Sequence, residues 1–499
     1  MLRPWKLNIS ICRDSDVPIH TQIAEKIIEE IQYGRFAPGT ALPGTREFSN
    51  RLNINRKTVV QAYDTLVAQG WLTAEHKRGT FVSNRALTIN HHARHNKTSS
   101  IKLAGKATTT PDTLTQCHYS APAKNGWLDL GLESADSRLL PFEAFSRAMR
   151  HALVTNVRHN KLHYGNPLGT KILREAVMQM VNIEQGLHAD LPHICITRGS
   201  QMAIYLAAKL LINPDDHIIL ETLHNPIARE TFQGLGAKTL SVKHHHEGID
   251  LESFEMLCIN HQVRAIYVSP QHQMPTGVAM SIENRKGLLK LAEKYDVVII
   301  EDDSHGTFCF GPQNTPPLAS MDKTGRVIYI GSLSRLLAPG LRLGYIISTP
   351  EFVNHIANQV AQIDRHGNII TELATAELML SGELKRHSSR AHKIYFERRV
   401  HLLNQLSQQL SFHCNATPAS HGLALWLNTY QNVDIHTLLR TAEKVKLGFF
   451  PPHLYCENRH HPNGLRFSFG HLNQEEISDA VFRLKQAFHT LPVQRLLTA

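Results

Sequence analysis

The chain reads as an α/β protein of more than one unit, and three observations say so. Short continuous apolar runs alternate with helical stretches from about Trp127 onwards. Residues 1–84 instead carry helical periodicity and a single hairpin signal, and a polar stretch without periodicity separates the two regions. Length agrees, since 499 residues hold two to four domains at roughly 100–200 residues each. Apolar residues at 42% and charged residues at 19% supply a large core and leave no room for dominant disorder.

The first helix places Ile19, Ile23, Ile27, Ile28 and Ile31 on one face and closes at Tyr33-Gly34. A second, short helix fits Thr45 to Leu52 after Leu42-Pro43-Gly44. A third starts behind Asn55, a good N-cap, and buries Val59, Ala62, Tyr63, Leu66 and Val67 before Gly70. Trp71-Leu-Thr-Ala and Thr80-Phe-Val then flank Glu75-His-Lys-Arg-Gly79, two strands with a basic tip. Residues 85–127, rich in Thr, Ser, Ala, His and Lys, read as a flexible linker. Beyond it, Ile194-Cys-Ile-Thr, His217-Ile-Ile-Leu, Ala265-Ile-Tyr-Val-Ser, Val297-Val-Ile-Ile and Val327-Ile-Tyr-Ile are apolar throughout. Strands buried on both faces look like this, so a mainly parallel sheet is expected over residues 128–499.

Composition narrows the function classes. Seven scattered cysteines without a C-x-x-C pair argue against a disulfide framework and a cysteine zinc site. The histidine doublets and triplets (His91-His92, His244 to His246, His460-His461) read as solvated loop residues, and no metal site is expected. No charge-free apolar run approaches the ~18 residues of a spanning helix, and no signal-peptide pattern is visible. A cytoplasmic protein, nucleoid-associated when bound to DNA, is the expectation, with no membrane partner. The net charge of +10 is unevenly spread: residues 1–84 carry +3, residues 85–127 carry +5, and the remaining 372 residues only +2. Positive charge gathered in the first quarter points to a polyanion partner there, double-stranded DNA first.

Two short helices in series suit major-groove docking. The second presents Asn55, Arg56, Lys57, Thr58 and Gln61 at its exposed start. Helix N-terminal amides attract phosphate, Arg and Lys bond guanine edges, and Gln bonds adenine. The run from Pro38-Gly39 through Leu42-Pro43-Gly44-Thr45-Arg46-Glu47-Phe48, Asn55 to Tyr63, Gly70-Trp71-Leu72 and Gly79-Thr80-Phe81-Val82 resembles the winged helix-turn-helix of GntR-type bacterial regulators. That resemblance implies DNA contacts at Arg46, Arg56 and the Lys77/Arg78 wing tip.

In the large region, Gly199-Ser200-Gln201 follows the strand at Ile194 and opens a helix at Met202, a ready anion site. Asp302 follows a strand, and Gly331-Ser332-Leu333-Ser334-Arg335 and Ala338-Pro339-Gly340-Leu341-Arg342 follow another. Together with Tyr164-Gly-Asn-Pro-Leu-Gly169, His272-Gln-Met-Pro-Thr-Gly277, Glu301-Asp302-Asp303 and Gly464-Leu-Arg466, they resemble fold-type I pyridoxal-phosphate enzymes. The resemblance is closest to the MocR (GabR-like) subfamily, in which an aminotransferase-like domain is fused behind a GntR unit. It implies a mainly parallel sheet with a smaller C-terminal α+β subdomain, and a homodimer.

The resemblance also implies roles. Ser200, Gln201, Ser332, Ser334 and Arg342 would hold the cofactor phosphate, Asp302 its ring nitrogen, and Arg466 an effector carboxylate. Three positions depart. Arg335 stands where the family has the Schiff-base lysine, Asn225 where an aromatic ring stacks on the pyridine, and Ser304 where a tyrosine lies near the cofactor hydroxyl. A guanidinium stays protonated and forms no imine, so the family's covalent chemistry is expected to be lost. The sequence therefore reads as a transcription regulator whose large domain senses a small anionic effector or serves only for dimerisation. Pyridoxal phosphate would be held non-covalently. The alternative is an aminotransferase fused to a DNA-binding domain.

Overall fold

The computed structural model describes residues 9–75, 78–84, 126–131, 134–305, 308–311, 315–417, 419–430, 433–457 and 462–491. The chain divides into two compact units, Met1–Asp112 and Thr113–Ala499. Lys77 and nearly all of the expected linker lie outside the described residues.

The first unit holds three helices, α1 (Ile19–Gln32), α2 (Thr45–Leu52) and α3 (Arg56–Ala68), then a hairpin of β1 (Leu72–Glu75) and β2 (Gly79–Val82). Its core is the apolar face read from the periodicity. Ile23, Ile27 and Ile31 of α1 pack on Phe48 of α2 and on Val59, Ala62 and Leu66 of α3. Asn53 adopts the left-handed conformation that ends α2, and Asn55 caps α3 by accepting from the Lys57 amide at 2.8 Å. The buried Tyr63 hydroxyl donates to the Pro43 carbonyl at 2.9 Å and fixes the turn before α2.

The second unit is built on a seven-stranded sheet of β4 (Ile194–Thr197), β5 (His217–Glu221), β6 (Lys238–Val242), β9 (Val263–Val268), β10 (Val298–Asp302), β11 (Val327–Ser332) and β12 (Gly344–Ile347). A short β3 (Leu128–Asp129) precedes it, and β7 (His244–His245) pairs with β8 (Gly248–Ile249) beside it. The order is β4-β12-β11-β10-β9-β5-β6. The strands run parallel except β12, which is antiparallel to both β11 and β4.

Helices cover the sheet: α4 (Phe142–Arg158), α5 (Lys171–Glu184), α6 (Gly199–Leu211), α7 (Pro226–Gly234), α8 (Leu251–Asn260), α9 (Ile282–Lys294), α10 (Leu318–Met321), α11 (Pro350–Ile363) and α12 (Ile369–Leu380). Buried side chains of α6, such as Leu206 and Ala207, pack on Ile218, Ile300, Ile330 and Ile346 of the strands.

The 28-residue α13 (Glu383–Leu410) leads into the C-terminal part. There β13 (Cys414–Ala416), β14 (Ala424–Thr429) and β16 (Gly464–Ser468) form an antiparallel sheet. The part is completed by α14 (Ile435–Lys444), β15 (Leu447–Gly448), which pairs with β3, and α15 (Gln474–His489). This is the expected smaller α+β part. No described helix is long and apolar enough to cross a membrane.

Candidate functional site

In the first unit Asn55, Arg56, Lys57, Thr58 and Gln61 stand at the cap and in the first turns of α3, Arg46 lies on α2 and Arg78 at the hairpin tip. Arg46, Asn55, Arg56, Lys57 and Gln61 are exposed, and Thr58 is half-buried. Arg56, Lys57, Gln61 and Asp64 line one shallow groove along α3. The Arg56 Nε donates to the Thr45 hydroxyl at 3.2 Å, which ties the guanidinium to the first residue of α2. Asp64 was not singled out from the sequence. It brings an acceptor onto an otherwise basic face, and carboxylates there accept from cytosine. At the hairpin tip Arg78 pairs with Glu75 at 2.5 Å.

In the second unit the seven-stranded sheet brings the remaining residues, except Arg466 on β16, to the carboxyl ends of its parallel strands, the usual ligand face of such sheets. The helix α6 opens at Gly199, three residues earlier than the sequence indicates, in a left-handed conformation (φ +80°). A Cβ at Gly199 would stand 3.0 Å from the Arg342 guanidinium, so the glycine lets that cation lie over the helix start. The Arg342 Nη2 also donates to the Arg198 carbonyl at 2.9 Å. Gly344 of β12 serves the same approach from beneath, because a Cβ there would meet the Gly199 carbonyl carbon at 2.6 Å. Ser200 and Gln201 form the first turn of α6. Gln201 and Arg342 line one open cleft. Helix amides under a guanidinium make an anion cradle.

Ser332 ends β11, buried opposite Gly344. The Ser334 hydroxyl, read from the sequence as a phosphate ligand, bridges the backbone of Leu343: it donates to the carbonyl at 3.1 Å and accepts from the amide at 2.7 Å. Asp302 is the last residue of β10 rather than the residue after a strand. It accepts from the Tyr267 hydroxyl at 2.5 Å and from the Ser304 amide at 3.0 Å. Burial and the neighbouring Asp302 push the Tyr267 phenol well above its ordinary value. Asn225 caps α7 through the Ile227 amide at 3.1 Å, and its Nδ2 reaches the Tyr267 hydroxyl at 3.5 Å.

Two arginine–histidine pairs complete the site. The half-buried Arg335 donates from Nη2 to His305 Nε2 at 3.1 Å. The fully buried Arg466 donates to His272 Nε2 at 3.1 Å and to the Pro275 carbonyl at 2.5 Å. A guanidinium has no acceptor, so both Nε2 atoms accept, and both imidazoles carry their proton elsewhere. The two rings lie nearly parallel with centroids 6.1 Å apart, which joins Arg335 to Arg466 through two histidines. The sequence pattern singles out neither histidine, although His272 opens the run His272-Gln-Met-Pro-Thr-Gly277. Tyr267 was missed too, hidden in a strand-like apolar run.

A pyridoxal-phosphate-type cofactor therefore meets a divided fit. The α6 start and Arg342 suit its phosphate, and Asp302 suits a protonated ring nitrogen. The covalent end does not fit, because Arg335 is a guanidinium engaged with His305.

Comparisons with known proteins bear on both units. Residues 129–484 match the model of aminotransferase class I and II, and residues 19–82 match that of bacterial regulatory proteins of the gntR family. An uncharacterised HTH-type transcriptional regulator YdeL of Bacillus subtilis is 26% identical over 95% of this chain and 98% of its own length. The probable rhizopine catabolism regulatory protein MocR of Rhizobium meliloti is 26% identical over 96% of this chain and 95% of its own. Among solved structures, a kynurenine aminotransferase of Pyrococcus horikoshii, in complex with PMP, is similar with a TM-score of 0.67 and 26% identity. That likeness covers 73% of this chain and 91% of the other.

Proposed function

The chain belongs to the aminotransferase class I and II family, carried behind a gntR-type regulatory domain, and from that premise we propose that its large unit binds a small anion without a covalent bond and does no transamination. The protein is a transcription regulator of this fused, MocR-like kind, and its first unit binds DNA. The observation that carries the finer reading is Arg335. By the sequence resemblance it takes the position of the imine-forming lysine, and its guanidinium donates to His305.

The anion is held at the start of α6 by Ser200, Gln201 and Arg342, with Ser332 beside them. Asp302, Asn225 and Ser304 would flank the place of a ring, and Arg466 would take a carboxylate only by exchanging its bonds to His272 and the Pro275 carbonyl. Ser334 contributes by fixing the turn through Leu343. Pyridoxal phosphate is the first ligand to test. When bound in the family's usual way it supplies an electron sink, and this chain retains the groups that would hold its phosphate. Two copies of the chain would address repeated half-sites, through Arg46, Asn55, Arg56, Lys57, Thr58, Gln61, Lys77 and Arg78 of each. Anion binding regulates transcription only if the ligand prefers one arrangement of the two DNA-binding units.

Titration of pyridoxal phosphate into the purified protein, read by calorimetry and visible absorbance, tests this. Saturable heat without an imine band is expected, with a band appearing in Arg335→Lys. An imine band or transamination in the natural protein would overturn the reading.

A further inference from the structure

A second cleft lies outside the residues described so far, between the end of α5, the end of α12 and the first turns of α13, with a volume of about 310 Å³. Its floor is apolar, formed by Met180, Leu336 and Met379. At its mouth Ile183 and Leu380 are 81% and 57% exposed, so two large aliphatic side chains stand in water where the cleft opens. Its polar lining is uncommitted: Gln179, Glu184, Lys385, Ser388 and Ser389 have no side-chain hydrogen bond or ion pair among the described residues.

Glu184 ends α5 and Lys385 begins α13, so opposite charges stand on two different walls. Both line the same cleft, and the ammonium of Lys385 offsets part of the rise that partial burial gives the Glu184 carboxyl. Charge complementarity selects the occupant. A fatty acid would meet the carboxylate of Glu184, an aliphatic amine would meet the ammonium of Lys385, and a neutral apolar molecule would leave both unanswered. A zwitterion with an apolar tail answers all three surfaces. The volume lies at the small end for ligand pockets, which fits one small molecule and not a peptide helix.

We propose that this cleft binds a free α-amino acid with a large apolar side chain, its ammonium at Glu184, its carboxylate at Lys385 and its side chain over Met180, Leu336 and Met379. The site also touches the anion pocket's framework. Leu336 directly follows Arg335, its amide donates to the Leu333 carbonyl at 3.1 Å, and its carbonyl is bonded by His387 Nε2 at 2.9 Å. A ligand resting on Leu336 therefore braces the turn that presents Arg335. That linkage rests on the function proposed above, whereas binding in the cleft does not.

The test is calorimetric titration of the full chain with L-leucine, L-methionine and L-phenylalanine. At least one is expected to bind saturably, and affinity is expected to fall at least tenfold in Glu184→Gln, in Lys385→Met, and for the N-acetylated ligand. Both substitutions are at exposed positions, and retained pyridoxal-phosphate binding in the same variants would show that the anion pocket is unharmed. No binding by any of the three amino acids would overturn the proposal. So would binding that both variants leave unchanged, which would place the ligand elsewhere.

Discussion

Where the chain leaves β11, Arg335 donates to His305, and on the function proposed above this guanidinium, which forms no imine, keeps the pocket from covalent chemistry. Asp302, a short distance away on β10, keeps its geometry through Tyr267. Tyr267→Phe leaves the packing and removes the buried donor to the carboxylate, so a loss of about 1–3 kcal/mol is expected. Urea unfolding followed on the large unit measures it, and an unchanged midpoint would show that the bond adds nothing to stability. On the DNA face, Arg56 and Lys57 are adjacent and exposed, and a base contact by the first and a phosphate contact by the second would give different signatures. Arg56→Ala should cost about 1–3 kcal/mol against a duplex selected from a random pool and should relax its sequence preference. Lys57→Ala should weaken all duplexes alike and reduce the salt slope by about 1. Filter binding across a salt series separates the two, and a uniform loss in Arg56→Ala would remove it from base readout.

The elements that present these residues depend on their ends. The helix α3 begins at Asn55, whose side chain caps the Lys57 amide, so Asn55→Ala should destabilise the first unit by about 1 kcal/mol. A thermal melt of that unit reads the change, and an unaltered melt would mean that water replaces the cap without cost. The start of α6 depends on Gly344. Gly344→Ala puts a methyl group 2.6 Å from the Gly199 carbonyl carbon and should abolish anion binding before it unfolds the sheet. Such elements were legible in the sequence because their signals are local. The faces of α1 and α3, the Asn55 cap and the apolar runs of β4, β5, β9, β10 and β11 all follow from spacing within a few residues. The reversed direction of β12 was not legible, since a strand buried on both faces shows the same apolar run either way. Partners distant in sequence were invisible too. Tyr267 and Asp302 lie 35 positions apart, Arg335 and His305 30, and Arg466 and His272 194, and no pattern of spacing pairs them.

Across the whole molecule, buried ionisable groups near the sheet make stability depend on pH in two opposing ways. Burial raises the carboxyl groups of Glu301 and Asp303, each to about 7. Their neighbours differ: Glu301 accepts the Leu318 and Ala319 amides at 2.8 Å, and Asp303 accepts the Tyr329 hydroxyl at 2.5 Å. Burial lowers the imidazoles of His224 and His421, each to about 4. Between about pH 4 and 7 the folded protein keeps two carboxyl protons that the unfolded chain has released, so these groups lower stability as pH rises. Between about pH 4 and 6.5 the unfolded chain binds protons on two histidines that the folded protein keeps neutral, so these groups raise stability with pH. The two pairs nearly cancel over their shared window, and above it only the carboxyl loss remains. Asp303→Asn keeps an acceptor for Tyr329 and removes one titrating group. The difference in stability between this variant and the natural protein should therefore rise with pH from about 4 to 7, by at most about 1.4 kcal/mol per pH unit. Urea midpoints measured at intervals across that range give the difference curve directly. A difference that stays flat would mean that Asp303 is ionised in the folded protein throughout, and the buried acidic pair would then be held by its hydrogen bonds and by Arg285, not by its protons.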